Sequence, residues 1–385
     1  MARPVAIVGT GQTRHCKARP DVHQGELINE AVGAALADAD LSLEDIDAIV
    51  LTNMELFEGR ALPELWCGEF ACGPGRPVMK VATGGTSGTS GAIAGLMQVA
   101  SGVFDAVLVV GWEKHSEGST QTGMSLTDPA WDRHIASGAI GNFALSISQY
   151  VAARGVTPEQ AALVAVKARR NAALNPHAHV KDAEITVEKV LTSPLLAEPV
   201  RMLDMCPQSD GACALVIAGG DKVKRYRRPA WFRASATRHD QPYIGDHDQR
   251  LIKMRTLRSA AQEVYRKLGI QNPFKEIDVA EIYEPVSYVE LAWYEALGFC
   301  AEGQSGKLIE SGATQIGGEL PVNPSGGVLC ANPVGATGVI RVAEAAKQLH
   351  GKAGAYQVDG VKQALVTGYG VYAWSDVLFL SGERP

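Results

Sequence analysis

The sequence predicts a layered α/β fold built from two similar βαβα halves, and three observations lead there. Strand-like apolar runs alternate with helix-length patterns: VAIVG at 5–9, ELINEAVGAALADA at 26–39, IDAIVLTNM at 46–54, AIAGLMQVASG at 92–102 and AVLVVGWEK at 106–114. The same order returns in the second half. LSLEDIDAIVLTNM at 41–54 is answered by NPFKEIDVAEIYEP at 272–285, GTSGAI at 88–93 by GATGVI at 335–340, and DAVLVVGWEKH at 105–115 by KQALVTGYGVY at 362–372. At 385 residues the chain suits two domains of roughly 150 to 200 residues each.

Taken in order, residues 1–222 form the first half and 229–385 the second. KVKRYRRP at 222–229 between them reads as a solvated linker rather than a binding patch. Residues from about 116 to 200 are polar and rich in His, Asn and Pro, and they interrupt the first half as an inserted loop domain, a common place for ligand specificity. Two Gly-rich segments, GGTSGTSG at 84–91 and GGVLCANPVGATG at 326–338, each lead into a helix. A helix N-terminus offers N–H groups and a positive dipole end to an anion or a developing oxyanion. Equivalence of the two loops predicts that they meet at one shared site.

Composition narrows the function classes. With 46% hydrophobic and 20% charged residues this is an ordinary globular chain. A net charge of −6 without a long basic run argues against nucleic acid as a partner. No apolar stretch approaches the roughly 18 residues of a membrane span, and MARPVAIVGTG lacks a signal-peptide layout, so a cytoplasmic protein is expected. The seven cysteines, Cys16, Cys67, Cys72, Cys206, Cys213, Cys300 and Cys330, show no C-x-x-C spacing, which speaks against bound zinc and against a disulfide framework. His177 and His179 in NPHAHV lack nearby ligands for a metal.

Two familiar motifs fall away. GTGQTR at 9–14 has G-x-G but neither the third glycine nor the acidic residue of a dinucleotide site. GGTSGTSG contains no G-x-S-x-G, so Ser87 and Ser90 read as helix caps rather than nucleophiles.

The duplication, SGVFDAVLVVGWEKHSEG at 101–118, RRNAALNPHAHV at 169–180, LDMCPQSDGACALVIA at 203–218, YEALGFC at 294–300 and NPSGG…NPVGATG at 323–338 together resemble the thiolase superfamily, in its sterol-carrier or lipid-transfer type. The resemblance runs over essentially the whole chain. It implies a thiolase fold with five αβαβα layers, a homodimeric core and a CoA thioester substrate, with CoA entering as substrate rather than as bound cofactor. It also implies departures. The position of the family's nucleophilic cysteine is Gly85, that of the GHP histidine is Asn332, the catalytic cysteine of the last loop falls at Gly368 and Tyr369, and the HD or NE position is Tyr283. The usual acyl-cysteine route is therefore not assumed. Similar chains without that cysteine include steroid side-chain aldolases, which cleave β-hydroxyacyl-CoA by retro-aldol chemistry together with a small zinc-ribbon and OB-fold subunit; benzoylsuccinyl-CoA thiolase is similar in using such a partner.

Either reaction, expected here on a branched or aromatic acyl-CoA, breaks a carbon–carbon bond beside a thioester and leaves an enolate. Candidate donors are the side chain of Asn332 and the backbone around Gly84, Gly85, Gly368 and Gly370, with Ser87 beside them; one well-placed donor contributes roughly 3 to 4 kcal/mol. For a thiolase-type retro-Claisen outcome, Cys330 is the thiol on the loop, as relocated nucleophile or as acid and base for CoA, and this places that outcome first. For retro-aldol cleavage, which needs a base for the β-hydroxyl proton and an acid for the enolate, the candidates are Tyr283, Tyr288, Tyr369 and Tyr372, with Glu284 as a further base. A third reading is a non-catalytic acyl-CoA-binding or scaffolding subunit. MELFEGRALPELWCGEFACG at 54–73 interleaves aromatic, apolar and acidic residues, as an interface with a zinc-ribbon partner or with a second copy of the chain would.

Overall fold

The computed structural model describes residues 3–118, 130, 138–241, 250–370 and 374–385. Among the described residues eleven strands are formed: β1 Val5–Gln12, β2 Ala48–Thr52, β3 Val78–Val81, β4 Ala106–Lys114, β5 Leu195–Ala197, β6 Val200–Arg201, β7 Asp210–Gly219, β8 Ala230–His239, β9 Val279–Glu281, β10 Gln363–Gly370 and β11 Trp374–Ser381. β5 and β6 pair as a small hairpin. The other nine run in the order β3-β2-β4-β7-β1-β8-β11-β10-β9.

That order carries the duplication. From the centre outward, β1-β7-β4-β2 is matched by β8-β11-β10-β9, with antiparallel, antiparallel and then parallel pairing in each half. The halves meet through two residue pairs of β1 and β8, Ala6 with Trp231 and Ile7 with Ala230. β3 extends the first half alone.

Alternation along each strand then sets the layers. Val50, Val107, Val109, Leu215 and Ile217 of the first half, and Val279, Ala364, Val366 and Leu378 of the second, share one core with Ala92, Ile93, Ala336, Val339 and Val342. Helices Ser87–Ala100 and Val334–His350 are thus the shared middle layer. The opposite faces, with Ile49, Leu51, Leu108 and Val110 on one side and Leu365, Val377 and Phe379 on the other, pack under Gln24–Asp38 and under Arg255–Leu268 with Ser287–Ala296. This is the five-layer arrangement. Strands covered on both faces explain why runs such as AVLVV are continuously apolar.

The middle helices cross backbone to backbone. A Cβ built on Gly88 would lie 2.4 Å from the Val339 nitrogen, and one on Gly338 2.4 Å from the Thr89 nitrogen. The two Gly-rich segments therefore do come together, and glycine is what lets them. Helix Pro158–Leu174, capped by Thr157 with Gln160 closing the box, packs on the Val328–Cys330 turn and brings the region after residue 116 onto that junction. Among the described residues no helix is long and apolar enough to cross a membrane.

Candidate active site

A cavity of about 600 Å³ opens where the middle helices, the β10 end and the inserted region converge. Gly85, Tyr283, Asn332, Tyr369, His115, Cys206 and Arg169 line it, among apolar neighbours that include Met54, Phe57, Phe143, Val180, Leu196 and Met205.

Gly85 is the pivot. Its backbone runs so close to β10 that a Cβ there would sit 2.2 Å from the Tyr369 carbonyl oxygen and 3.3 Å from the Tyr283 hydroxyl. Gly84 reaches this approach with φ +68°, a conformation glycine adopts freely. Tyr283 is fixed by its own N–H donating to Thr367 Oγ1 (2.9 Å), and burial pushes its phenol above the usual range, so it is protonated at neutral pH. Tyr369 is held by the edge of Trp293, with ring centroids 4.7 Å apart.

Asn332 is oriented from three directions. Its N–H donates to Ser209 Oγ (3.1 Å), its Oδ1 accepts from Thr337 Oγ1 (2.8 Å), and its Nδ2 reaches Cys206 Sγ (3.3 Å). These groups form the polar side of an otherwise apolar cavity.

The remaining expected residues are placed as follows. Cys330 is completely buried and outside the cavity lining; burial raises its thiol to about 12, and its carbonyl accepts from His179 and Val180. Glu284 is also fully buried behind the lining, with Oε1 accepting from Leu329 N–H (3.2 Å) and its carboxyl pushed up to about 8 by burial and then by Glu290. Ser87 Oγ donates to the Gly84 carbonyl (2.6 Å) and accepts from Thr83 N–H (2.9 Å), bracing the loop it belongs to. Gly368 and Gly370 press against Thr89 and Thr83, beside the lining rather than on it. Tyr288 is buried under the site, and Tyr372 lies outside the described residues.

The helix N-terminus expected to offer free donors is already engaged. Val334 N–H points to His115 Nε2 (3.4 Å) and Gly335 N–H to Glu113 Oε2 (2.8 Å), because the end of β4 lies directly beneath that turn.

Three lining residues were not singled out from sequence: His115, Cys206 and Arg169. His115 follows the carboxyl end of β4, the edge where α/β sheets gather ligands, and that position was the available signal. Its ring stacks on Phe57 with centroids 4.2 Å apart, and burial lowers it to about 4, so the imidazole is neutral. Cys206 is a thiol with burial raising it to about 12. Among the described residues no group of three or more His, Cys, Asp or Glu side chains is placed to hold a metal ion.

The family model described as "Thiolase, N-terminal domain" matches residues 5–221, and "Thiolase C-terminal domain-like" matches 236–382. The chain belongs to the thiolase family. This thiolase-family chain is 33% identical over 367 residues to acetyl-CoA acetyltransferase of Methanothermobacter thermautotrophicus, covering 94% of both chains. It is 28% identical to the benzoylsuccinyl-CoA thiolase subunit BbsB of Thauera aromatica, covering 95% of this chain and 94% of that one. Sterol carrier protein 2 of Homo sapiens is 30% identical over 96% of this chain and 70% of its own length. Among solved structures, the Ltp2-ChsH2(DUF35) aldolase superimposes with a TM-score of 0.85 at 26% identity, covering 98% of this chain and 97% of that one. The chain is thus a thiolase-family enzyme of an atypical kind, thiolase or aldolase.

Proposed function

We propose that this thiolase-family chain is a lyase that cleaves a β-hydroxyacyl-CoA by retro-aldol chemistry. The observation that carries this reading is the closure at Gly85. No side chain fits where a nucleophile would stand, and the space in front holds the Tyr283 hydroxyl. The expectation that put thiolysis first rests on Cys330, whose thiol lies outside the lining, and Cys206, which does line the cavity, is held as a neutral thiol by burial. The likeness at 26% identity to a complex named as an aldolase supports the same reading.

The reaction needs two proton transfers and no redox partner. Tyr369, acting as its phenolate, takes the β-hydroxyl proton as that oxygen becomes a carbonyl and is left as the phenol; the Cα–Cβ electron pair moves into the thioester, giving an enolate. The protonated Tyr283 and the Asn332 amide donate to the enolate oxygen, and the proton taken up by Tyr369 is passed to Cα, which completes the shorter acyl-CoA and restores the base. The products are an aldehyde or ketone and an acyl-CoA. CoA is the carrier of the substrate, and no bound cofactor is required.

The partner belongs to this proposal as well. The structural relative is named as a complex with a DUF35 chain. In the segment 54–73, Leu62, Leu65 and Trp66 are exposed, the last two at 72% and 67%, with Val78 and Met79 of β3 exposed nearby. Apolar side chains left open together in this way suit an interface, either with a small zinc-ribbon/OB-fold subunit or with a second copy of the chain.

A CoA dependence test separates the two chemistries. Retro-aldol cleavage of a 3-hydroxyacyl-CoA proceeds without added CoA and yields a carbonyl product, whereas thiolysis of a 3-ketoacyl-CoA consumes one CoA per turnover. Mass spectrometry of both mixtures, with and without a co-expressed DUF35-type chain, is the assay. Cleavage of only the keto substrate, and only with free CoA, overturns the proposal; cleavage of neither under all four conditions favours a non-catalytic subunit.

A further inference from the structure

Arg169 is a buried guanidinium with no ion pair among the described residues. It stands on helix Pro158–Leu174, is 3% exposed, and lines the cavity. Among the described residues its guanidinium makes one hydrogen bond, from Nη1 to the carbonyl of Ala165 in its own helix (3.3 Å), and its Nε finds no partner there. Carboxylates lie in the neighbourhood, but each is engaged elsewhere. Asp204 accepts from Ser287 Oγ (2.6 Å) and Arg201 N–H (2.9 Å), Asp182 pairs with Lys189, Glu290 pairs with Lys167, and Glu284 takes Leu329 N–H. Among the described residues no other formally charged side chain lines the cavity.

A buried cation left unpaired beside a mostly apolar cavity is costly unless a ligand neutralises it, and a planar guanidinium matches a carboxylate or phosphate. Its position favours the carboxylate. The helix carrying Arg169 packs on the Val328–Cys330 and Met202–Asp204 turns, and Arg169 lines the same cavity as Asn332 and Tyr283. The phosphates of CoA are separated from the thioester by the whole pantetheine arm and need solvent, whereas an acid on the acyl group lies within a few bonds of the reacting carbons. We infer that Arg169 is a specificity residue that pairs with a carboxylate carried on the acyl group, so that the substrate is the CoA thioester of a dicarboxylic acid. The inference rests on the reading that the cavity takes an acyl-CoA, but not on which bond-breaking reaction follows.

Unreactive probes keep the two apart. Binding of S-(3-carboxypropyl)-CoA and S-(5-carboxypentyl)-CoA, each beside its carboxamide, and of CoA alone, is measured by titration calorimetry on the full chain. In the unaltered protein at least one acid binds about 10- to 100-fold tighter than its amide, the effect of a charged hydrogen bond. Arg169→Met brings that ratio to about one while amide and CoA binding stay within about threefold, and Arg169→Lys keeps part of it. Equal binding of acid and amide at both lengths in the unaltered protein overturns the inference, whether or not the Met variant folds. Parallel weakening of acid, amide and CoA in Arg169→Met overturns it too, and assigns the guanidinium to a CoA phosphate or the thioester. Binding of none of these ligands, CoA included, removes the acyl-CoA reading itself.

Discussion

Restoring the family's cysteine at position 85 is the substitution that tests the central geometric claim. Gly85→Cys places a Cβ 2.2 Å from the Tyr369 carbonyl oxygen, more than 1 Å inside the 3.4 Å at which ordinary contact begins. That oxygen belongs to backbone in β10, where Tyr369 is paired with Ser375 of β11, so it cannot swing away as a side-chain end would. Overpacking of this kind costs roughly 1 to 3 kcal/mol or more. The expected outcome is a melting temperature lower by about 5 °C, from roughly 2 to 4 °C per kcal/mol. Gly85→Ala should fall by a similar amount, because both variants introduce the same Cβ. Tyr283→Phe in the Gly85→Cys background should not restore stability, since the nearest clash is with backbone. Neither thiolysis of acetoacetyl-CoA nor an acylated thiol at position 85, sought by mass spectrometry after mixing with acyl-CoA, should appear. A Gly85→Cys protein that melts within 1 °C of the unaltered one and forms an acyl-enzyme would refute the argument that this position is closed.

Four further outcomes follow from the same site. Tyr283→Phe and Tyr369→Phe should each lower kcat about 10²- to 10⁴-fold with melting temperature nearly unchanged, the range for loss of a positioned proton donor or acceptor; turnover within threefold of normal in both would remove them from the chemistry. Cys330→Ala should leave turnover within about twofold, and iodoacetamide at pH 8 should label neither Cys330 nor Cys206, as both thiols are raised to about 12; rapid labelling tied to loss of activity would contradict this. Glu58 and Glu113 share the Nδ2 of Asn53 beneath the site, and burial raises Glu58 from 4.5 to about 7. A carboxyl whose folded pKa is raised contributes stability that is full below 4.5 and lost as pH rises through 7, at most about 3 kcal/mol, so Glu58→Gln should flatten the fall in stability between pH 5 and 8; parallel curves for the two proteins would refute it. For Arg169→Met, the lost preference for carboxylate-bearing CoA thioethers is read against the carboxamides.

The fold was legible because its signals are local. Apolar runs such as AVLVV and VAIVG can only be covered strands, and the glycines of GTSGAI and GATGVI mark helices that approach something closely. Even the pairing of the two halves could be read, since duplication repeats the same order of elements. The chemistry was less legible. Cys330 attracted attention by standing in a glycine-rich loop two residues from Asn332, yet its thiol turns under the turn Val328–Cys330 into the packed core, while Cys206, from a stretch with no catalytic pattern, faces the cavity. Arg169 did leave a trace, a charge on a helix whose buried positions are otherwise largely small and apolar, such as Ala161, Ala165, Ala168 and Ala172.

What the sequence by itself determined is the set of layers and the kind of family, because period, glycine placement and repeated order are properties of neighbouring residues. What only the tertiary structure decided is which groups share one low-dielectric space. Gly85, Arg169, Cys206, Tyr283, Asn332 and Tyr369 come from segments as much as 284 residues apart (369 − 85), and whether each is a free nucleophile, a protonated donor or an unpaired cation depends on burial and neighbours that exist only once both halves have closed around the middle helices.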